Sequence, residues 1–195
     1  GESDEEKVSK TVHTTMGLSF ISGIILMVVG LLSAETILKL MNTPENVIGH
    51  AVTYIKVYFL SMIPMMIFNM GTGILRAMGD SKTPLYYLGA AGVLNIILDL
   101  VFIIVFNIGV MGAALATTLS QTLSAILIMR KLLTTDEIYK LHLNKIKIDK
   151  EILKRILLIG IPTGLQSVLV CFSNIIVQSK VNLFGLDVMA ALTVY

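Results

Sequence analysis

The chain has little charge for its length. Only 14% of its 195 residues are Asp, Glu, Lys or Arg, whereas 55% are hydrophobic and the mean hydropathy is +0.83. These values lie outside the range of ordinary soluble domains. Uncharged runs extend over residues 14–34, 57–75, 83–98, 100–129 and 156–179, and about 20 apolar residues are enough for a helix to cross a bilayer. Composition therefore predicts an all-α, polytopic membrane helix bundle.

Several chemical motifs are absent as well. The single cysteine, Cys171, excludes an internal disulfide and a cysteine metal cluster. Residues 1–10 lack the apolar core of a cleavable signal peptide. No glycine-rich phosphate loop, aromatic-interleaved basic patch or buried group of nucleophile, base and orienting partner can be assembled. We therefore expect no enzyme activity, no organic cofactor and no nucleic-acid partner.

Five spanning helices are predicted, because Asn107-Ile108-Gly109 divides the longest uncharged region in two. Pro64 should kink or break the second helix, since proline removes one backbone hydrogen bond, and Pro162 should kink the fifth. The third is expected to start with Thr83 as N-cap and Pro84 as first residue. The predicted limits are about 13–41, 44–78, 84–106, 110–132 and 152–184.

The basic residues lie mostly on one side of this topology. If the five helices alternate in direction, 12 of the 15 lysines and arginines share a side, which the positive-inside rule places in the cytoplasm. We therefore expect a multi-pass protein of the plasma membrane. Its predicted parts are residues 1–132 with four spans, a cytoplasmic connector at 133–151, and residues 152–195 with one span and the beginning of another.

A carboxylate inside the third predicted span indicates a functional site. Asp99 follows Asn95 by one helical turn and lies about 22 Å from the helix start, within a hydrocarbon core of roughly 30 Å. Counting from the outer turn, Thr117 and Asn69 should reach similar depths, so the four side chains are predicted to line one cavity. Charged groups inside a membrane are costly and usually functional, although each polar residue alone could serve helix packing.

These oxygens suit a monovalent cation, for which Asp99 supplies the charge and the amides and hydroxyl replace water. The same carboxylate could instead carry a proton, because desolvation favours its neutral form. The polar stripe on the fourth helix, which includes Gln121, is either cavity lining or packing. Gln166 is one of several polar residues on the fifth helix, which has no carboxylate. We expect Gln121 and Gln166, with Asn69, to line a substrate cavity.

Several motifs in this order resemble the multidrug and toxic compound extrusion (MATE) transporters. They are residues 73–84 (GILRAMGDSKTP), 95–99 (NIILD), 109–117 (GVMGAALAT), 160–166 (GIPTGLQ) and 182–185 (NLFG). The resemblance implies twelve helices in two six-helix lobes, of which this chain would hold helices three to seven. It also implies that Asn95, Asp99 and Thr117 belong to a cation site completed by an aspartate on helix one, and that Asn69 lines the same cavity.

The resemblance implies secondary active efflux: amphipathic or cationic compounds leave while Na⁺ or H⁺ enters, with Asp99 as the Na⁺ ligand if sodium is the coupling ion. The expected partners are small-molecule substrates and the lipid bilayer, and the expected state is a monomer. Two alternatives stay open. One is a flippase for lipid-linked oligosaccharides of the same superfamily, and the other is a membrane scaffold that does not transport.

Overall fold

The structure, a computed structural model, describes residues 2–40 and 45–181, and these residues form helices joined by short turns, with no strand among them. The α-helices are α1 (Glu2–Leu40), α2 (Glu45–Leu60), α3 (Met62–Ala77), α4 (Lys82–Leu100), α5 (Val110–Thr134) and α6 (Lys150–Val181). A π-helical turn, Val101–Val105, extends α4, and a short 3₁₀ turn, Leu143–Lys145, lies in the connector. The predicted all-α class is confirmed.

Five helical segments of the described residues are long and apolar enough to cross a membrane, as predicted. They are Asp4–Leu40, Val47–Ala77, Lys82–Val105, Val110–Thr134 and Lys150–Asn174. Many of their apolar side chains are exposed to the surroundings: Leu32 is 79% exposed and Val105 72%. Such surfaces would be costly in water but are compatible with lipid contact.

The second span is interrupted, as the proline predicted, but three residues before Pro64. Helix α2 ends at Leu60, α3 begins at Met62, and both the backbone N–H and the side-chain hydroxyl of Ser61 donate to the carbonyl of Tyr58. Pro64 is consequently the third residue of α3. In the first helical turn the missing N–H of proline leaves no intrahelical bond unmade, which explains why the break precedes the ring.

The turn between α3 and α4 differs from the prediction. Helix α4 begins at Lys82, so Thr83 and Pro84 are its second and third residues, not its N-cap and first residue. The backbone N–H of Thr83 donates to Asp80 Oδ1 at 3.0 Å. Hydrogen bonds from Thr83 lower the pKa of Asp80 below its usual value. An aspartate two residues before the helix thus performs the capping that the sequence pattern assigned to a threonine.

The chain divides into two compact units, Gly1–Asp149 and Lys150–Tyr195. In the first unit α1, α3 and α5 pack around a core that includes Met16, Leu75 and Ile128. Helices α3 and α5 approach closely at Gly71, where an added Cβ atom would lie 2.7 Å from the Ile128 side chain. Small residues permit such close helix contact in membrane bundles.

The segment after α5 returns to this core instead of extending away from it. Tyr139 and Leu141 are buried in the core cluster, and the backbone N–H of Leu141 donates to the carbonyl of Leu132 at 2.8 Å. Ile146 lies against Gly17 of α1, where an added Cβ atom would come within 3.2 Å of it. The predicted connector is therefore a packed part of the first unit up to Asp149.

Two side chains of α1 fix the connector by hydrogen bonds, and we call them, with their partners, the connector anchor. His13 Nδ1 donates to the carbonyl of Ser9 at 2.6 Å, and the backbone N–H of His142 donates to His13 Nε2 at 3.0 Å. The Thr14 hydroxyl donates to the carbonyl of Lys147 and accepts from the backbone N–H of Asp149. His13 and Thr14 are buried, so these bonds satisfy polar groups that water cannot reach.

The described part of the second unit is the single helix α6, which continues through Pro162. Gln166 and Cys171 have exposed side chains on it. The predicted start of a further helix falls in residues 182–195, outside the described residues. The assignment of residues 1–132 and 152–195 to two lobes stays a prediction.

Candidate cation and substrate site

The contact between α4 and α5 contains a polar cavity of about 230 Å³. It brings together three of the predicted site residues, namely Asn95 from α4 and Thr117 and Gln121 from α5. Ser120 and Ser124 add two further hydroxyl groups to its wall. The polar stripe of α5 is thus cavity lining, with oxygen donors from two helices that the turn at 107–109 places side by side.

Two of the three hydroxyl groups that line this cavity, those of Thr117 and Ser120, already donate within their own helix. Thr117 Oγ1 donates to the carbonyl of Ala113 at 3.0 Å, and Ser120 Oγ donates to the carbonyl of Ala116 at 2.8 Å. With the hydroxyl proton used in this way, each oxygen keeps lone-pair capacity for a ligand. These groups can therefore accept a hydrogen bond or coordinate a cation without breaking the helix.

Asp99 lies one turn further along α4 and lines a neighbouring pocket of about 240 Å³, whose other walls are apolar side chains. It is not among the lining residues of the Asn95 cavity. Its Oδ1 atom is buried and has no hydrogen-bond partner within the described residues. Because an unpaired buried carboxylate oxygen is costly, this atom calls for a proton, a cation or a polar group from elsewhere.

The backbone changes geometry directly after Asp99. Residues 101–105 form a π-helical turn in which the N–H of Phe106 donates to the carbonyl of Val101 at 3.0 Å. Gly112 of α5 packs against it so closely that an added Cβ atom would lie 2.8 Å from Phe102 Cβ. The sequence pattern does not indicate this turn, although small residues such as Gly112 mark the close contact. Single π-helical turns occur frequently at functional sites.

The other two predicted residues lie elsewhere. Asn69 is exposed on α3 and lines neither of these cavities, and Gln166 belongs to α6 in the second unit. Helix α3 instead presents Thr72, whose hydroxyl oxygen is buried without a hydrogen-bond partner in the described part of the chain. In the sequence, only its position as a threonine within an apolar span marked Thr72 as a candidate functional residue. The joint ion and substrate site therefore stays a prediction.

The ligand set resembles no multi-carboxylate metal centre. Within residues 2–40 and 45–181, no group of three or more His, Cys, Asp and Glu side chains could hold a metal ion. A cation at Asp99 would consequently meet one carboxylate, and the neutral amide and hydroxyl oxygens of Asn95 and Thr117 lie in the neighbouring cavity. That donor set suits a monovalent ion better than a divalent one, because little charge is available to offset dehydration.

A bundle of membrane-length helices with an uncompensated carboxylate and a polar cavity within it is typical of membrane transport proteins. Comparison with known proteins gives the family. The MatE family model matches residues 1–101, slightly more than half of the 195 residues. The chain belongs to the MATE family, and the resemblance described above is confirmed.

Individual relatives agree. The chain is 36% identical, over 98% of its length, to the probable multidrug resistance protein YoeA of Bacillus subtilis (strain 168). It is 30% identical, over 81% of its length, to the multidrug export protein MepA of Staphylococcus saprophyticus. A solved outward-facing multidrug resistance MATE transporter of the MOP superfamily superimposes on 85% of the chain with a TM-score of 0.78 and 29% identity. These relatives are transport proteins, in agreement with the expectation of no enzyme activity.

The chain spans only part of each relative. It covers 43% of YoeA, 35% of MepA and 37% of the outward-facing transporter. More than half of each of these relatives therefore consists of segments that the chain does not match.

Proposed function

We propose that the protein containing this chain is a secondary active multidrug exporter, which expels amphipathic or cationic compounds in exchange for Na⁺ or H⁺. The observation that carries the proposal is the buried, unpartnered Oδ1 of Asp99, one turn from the polar cavity of Asn95, Thr117 and Gln121. A buried oxygen without a hydrogen-bond partner in an apolar span is available for reversible binding of a ligand. Membership of the MATE family and the multidrug names of the relatives support the substrate class.

Coupling requires that the two ligands favour different states. A transporter alternates between inward and outward forms, and a ligand that binds both forms equally shifts neither. In the proposal, the cation binds at Asp99 with Asn95 and Thr117, and its charge changes how α4 packs beside α5. Substrate contacts Gln121 in the cavity between α4 and α5, and the roles of Asn69 and Gln166 in substrate binding stay predictions. No organic cofactor is needed, because the ion gradient supplies the energy.

The same proposal includes location and assembly. We place the protein in the plasma membrane as a multi-pass monomer with residues 133–151 on the cytoplasmic side. The basic residues that the predicted topology collects on that side support this orientation.

The test is ethidium efflux from vesicles that contain the intact protein. Replacement of Asp99 by Asn removes the charge and keeps the size, and coupling between two sites is typically worth about 5- to 150-fold. We therefore expect gradient-driven efflux to fall by about tenfold or more. The matched control is Asp136→Asn, which neutralises an exposed aspartate paired with Lys140 in the connector and should transport normally.

Separate Na⁺ and pH gradients identify the coupling ion. The Thr117→Val variant removes an oxygen that a sodium ion needs but a proton on Asp99 does not. Sodium-driven efflux should therefore fall in this variant, whereas proton-driven efflux should persist. Undiminished efflux by well-expressed Asp99→Asn protein under both gradients would reject the exporter assignment for this site and favour a packing role, as in a scaffold.

A further inference from the structure

A second polar pocket, away from α4, lies where the connector meets α1. Its volume is about 350 Å³, and its walls include Lys10 from α1 and Lys145, Lys147 and Asp149 from the connector. Residues more than 130 positions apart in the chain thus contribute to one concave surface. We call it the basic pocket.

The connector anchor fixes this arrangement. Thr14 binds the backbone of both Lys147 and Asp149, and His13 binds the backbone of His142. These bonds use backbone atoms of the connector. They therefore hold its backbone in place without occupying the side chains of Lys145 and Lys147, which remain available to a ligand. A preorganised pocket loses less entropy on binding than a flexible basic tail.

Positive charge dominates the pocket. Three lysines line it against one carboxylate, that of Asp149. Lys10 is already paired with Glu6 at 2.7 Å, and Asp149 takes part in other interactions. The ammonium groups of Lys145 and Lys147, in contrast, make no ion pair within the described residues. Two uncommitted ammonium groups in one pocket favour an anion with several acceptor oxygens, such as a phosphate group.

The position of the pocket points to the membrane surface. Lys10 precedes the uncharged run that begins at Thr14 by one helical turn, about 6 Å along the helix. The pocket wall also contains Ile148, an apolar side chain suited to the glycerol end of a lipid. Basic pockets at the cytoplasmic ends of membrane helices bind anionic lipid headgroups. We infer that the basic pocket binds a phosphate-bearing anion, with an anionic phospholipid headgroup as its source.

The test uses the intact protein in detergent. Native mass spectrometry would count bound phosphatidylglycerol as this lipid is added, with phosphatidylcholine as the neutral comparison, and calorimetry would measure binding of inorganic phosphate. The variant is Lys145→Gln with Lys147→Gln. The control, Lys82→Gln with Lys154→Gln, removes equal charge from the same predicted side but outside the pocket. A lysine near an anionic surface contributes roughly fivefold in affinity, so the pocket variant should bind phosphatidylglycerol about tenfold or more weakly.

The outcomes separate the two sources of phosphate. Loss of phosphatidylglycerol binding in the pocket variant alone supports the inference with lipid as the ligand. Binding of inorganic phosphate that depends on the same two lysines, without lipid binding, supports the site with soluble phosphate as the ligand. Absence of both, or an equal loss in the control, overturns it, because the charges would then act only as a diffuse surface. Circular dichroism would verify the fold, and Lys147→Gln alone replaces the double variant if that is unfolded.

Discussion

The connector anchor and the region around Asp99 both bury polar groups in an apolar bundle, yet they differ in how these groups are satisfied. In the anchor, both nitrogens of His13 are hydrogen-bonded and the Thr14 hydroxyl both donates and accepts. At α4, Oδ1 of Asp99 has no partner in the described part of the chain, and the same is true of Thr72 on α3.

This difference distinguishes buried polar groups that hold the fold together from buried polar groups that are available to a ligand. A fully paired buried group stabilises one conformation, and its removal leaves a partner unsatisfied. An unpaired group costs stability until a ligand, a proton or a moving helix supplies the partner. The bundle thus has a fixed end, where connector and α1 are joined, and a region in which polar groups await a partner. Disrupting the fixed end should lower the free energy of unfolding, whereas replacing an unpaired polar group should leave it unchanged or raise it.

The largest effect on stability should come from the anchor histidine. Replacement of His13 by Ala removes a buried ring and leaves the backbone N–H of His142 without its acceptor, so the free energy of unfolding should fall by about 2–4 kcal/mol. Chemical unfolding of the protein in detergent micelles would measure it.

His142 provides the matched control. Its side chain is exposed and its ring stacks on His13 at 6.0 Å, while the bond to His13 uses its backbone N–H. His142→Ala keeps that bond and should cost less than about 1 kcal/mol. Equal losses in the two variants would show that ring stacking, and not the buried hydrogen bond, holds the connector.

The two regions also differ in how well the sequence predicted them. Hydropathy and the Asn107-Ile108-Gly109 turn sufficed for five spans, because lipid demands long uncharged helices whatever their packing. Helix depth correctly predicted that Asn95 and Thr117 share one cavity, since the turn at 107–109 makes α4 and α5 antiparallel neighbours, but Asp99, placed there by the same depth, lines the adjacent pocket instead. Asn69 was assigned to that cavity by depth alone, and depth does not determine the direction in which a helix face points.

The connector anchor escaped prediction for a different reason. Nothing in the sequence pattern distinguishes His13 from a surface histidine, but the residue is only 3% exposed. Its partner is a backbone N–H of a residue 129 positions later, and backbone donors leave no trace in the side-chain pattern. The π-helical turn after Asp99 is similarly a product of packing, in this case against Gly112. Such features depend on which segments meet, which the pattern of apolar residues does not specify.

A smaller loss is expected at the turn between α3 and α4, where the paired group is outside the bundle. Replacement of Asp80 by Ala removes the acceptor of the Thr83 N–H and should cost about 1 kcal/mol at neutral pH. Since Thr83 lowers the pKa of Asp80 in the folded protein, the stabilisation is present above the ordinary aspartate value of about 3.9. It is lost as the pH falls through the lower, folded-state pKa.

Unfolding curves of the wild type and the variant at several pH values would test this. The Asp80→Asn variant keeps a side-chain oxygen for the Thr83 N–H but has no charge to lose, so its stability relative to Asp80→Ala should not vary with acid. A pH-independent difference between wild type and Asp80→Ala would contradict the assignment of a charged cap. Comparing the losses of stability in Asp80→Ala and His13→Ala would show how much burial adds to the contribution of a hydrogen bond.

The smallest effect is expected where a polar atom has no partner. Thr72→Val replaces an unpaired buried hydroxyl by a methyl group of similar size and should leave the free energy of unfolding unchanged or raise it by up to about 1 kcal/mol. In Thr118, by contrast, the hydroxyl lies 2.9 Å from the carbonyl of Ala114 on its own helix and 3.2 Å from the carbonyl of Val57 on α2. Thr118→Val should therefore cost about 0.6 kcal/mol, the average for an interhelical hydrogen bond in a membrane. If Thr72→Val proves as costly as Thr118→Val, the Thr72 hydroxyl makes a hydrogen bond in solution, and the contrast between paired and unpaired polar groups would then rest on Asp99 alone.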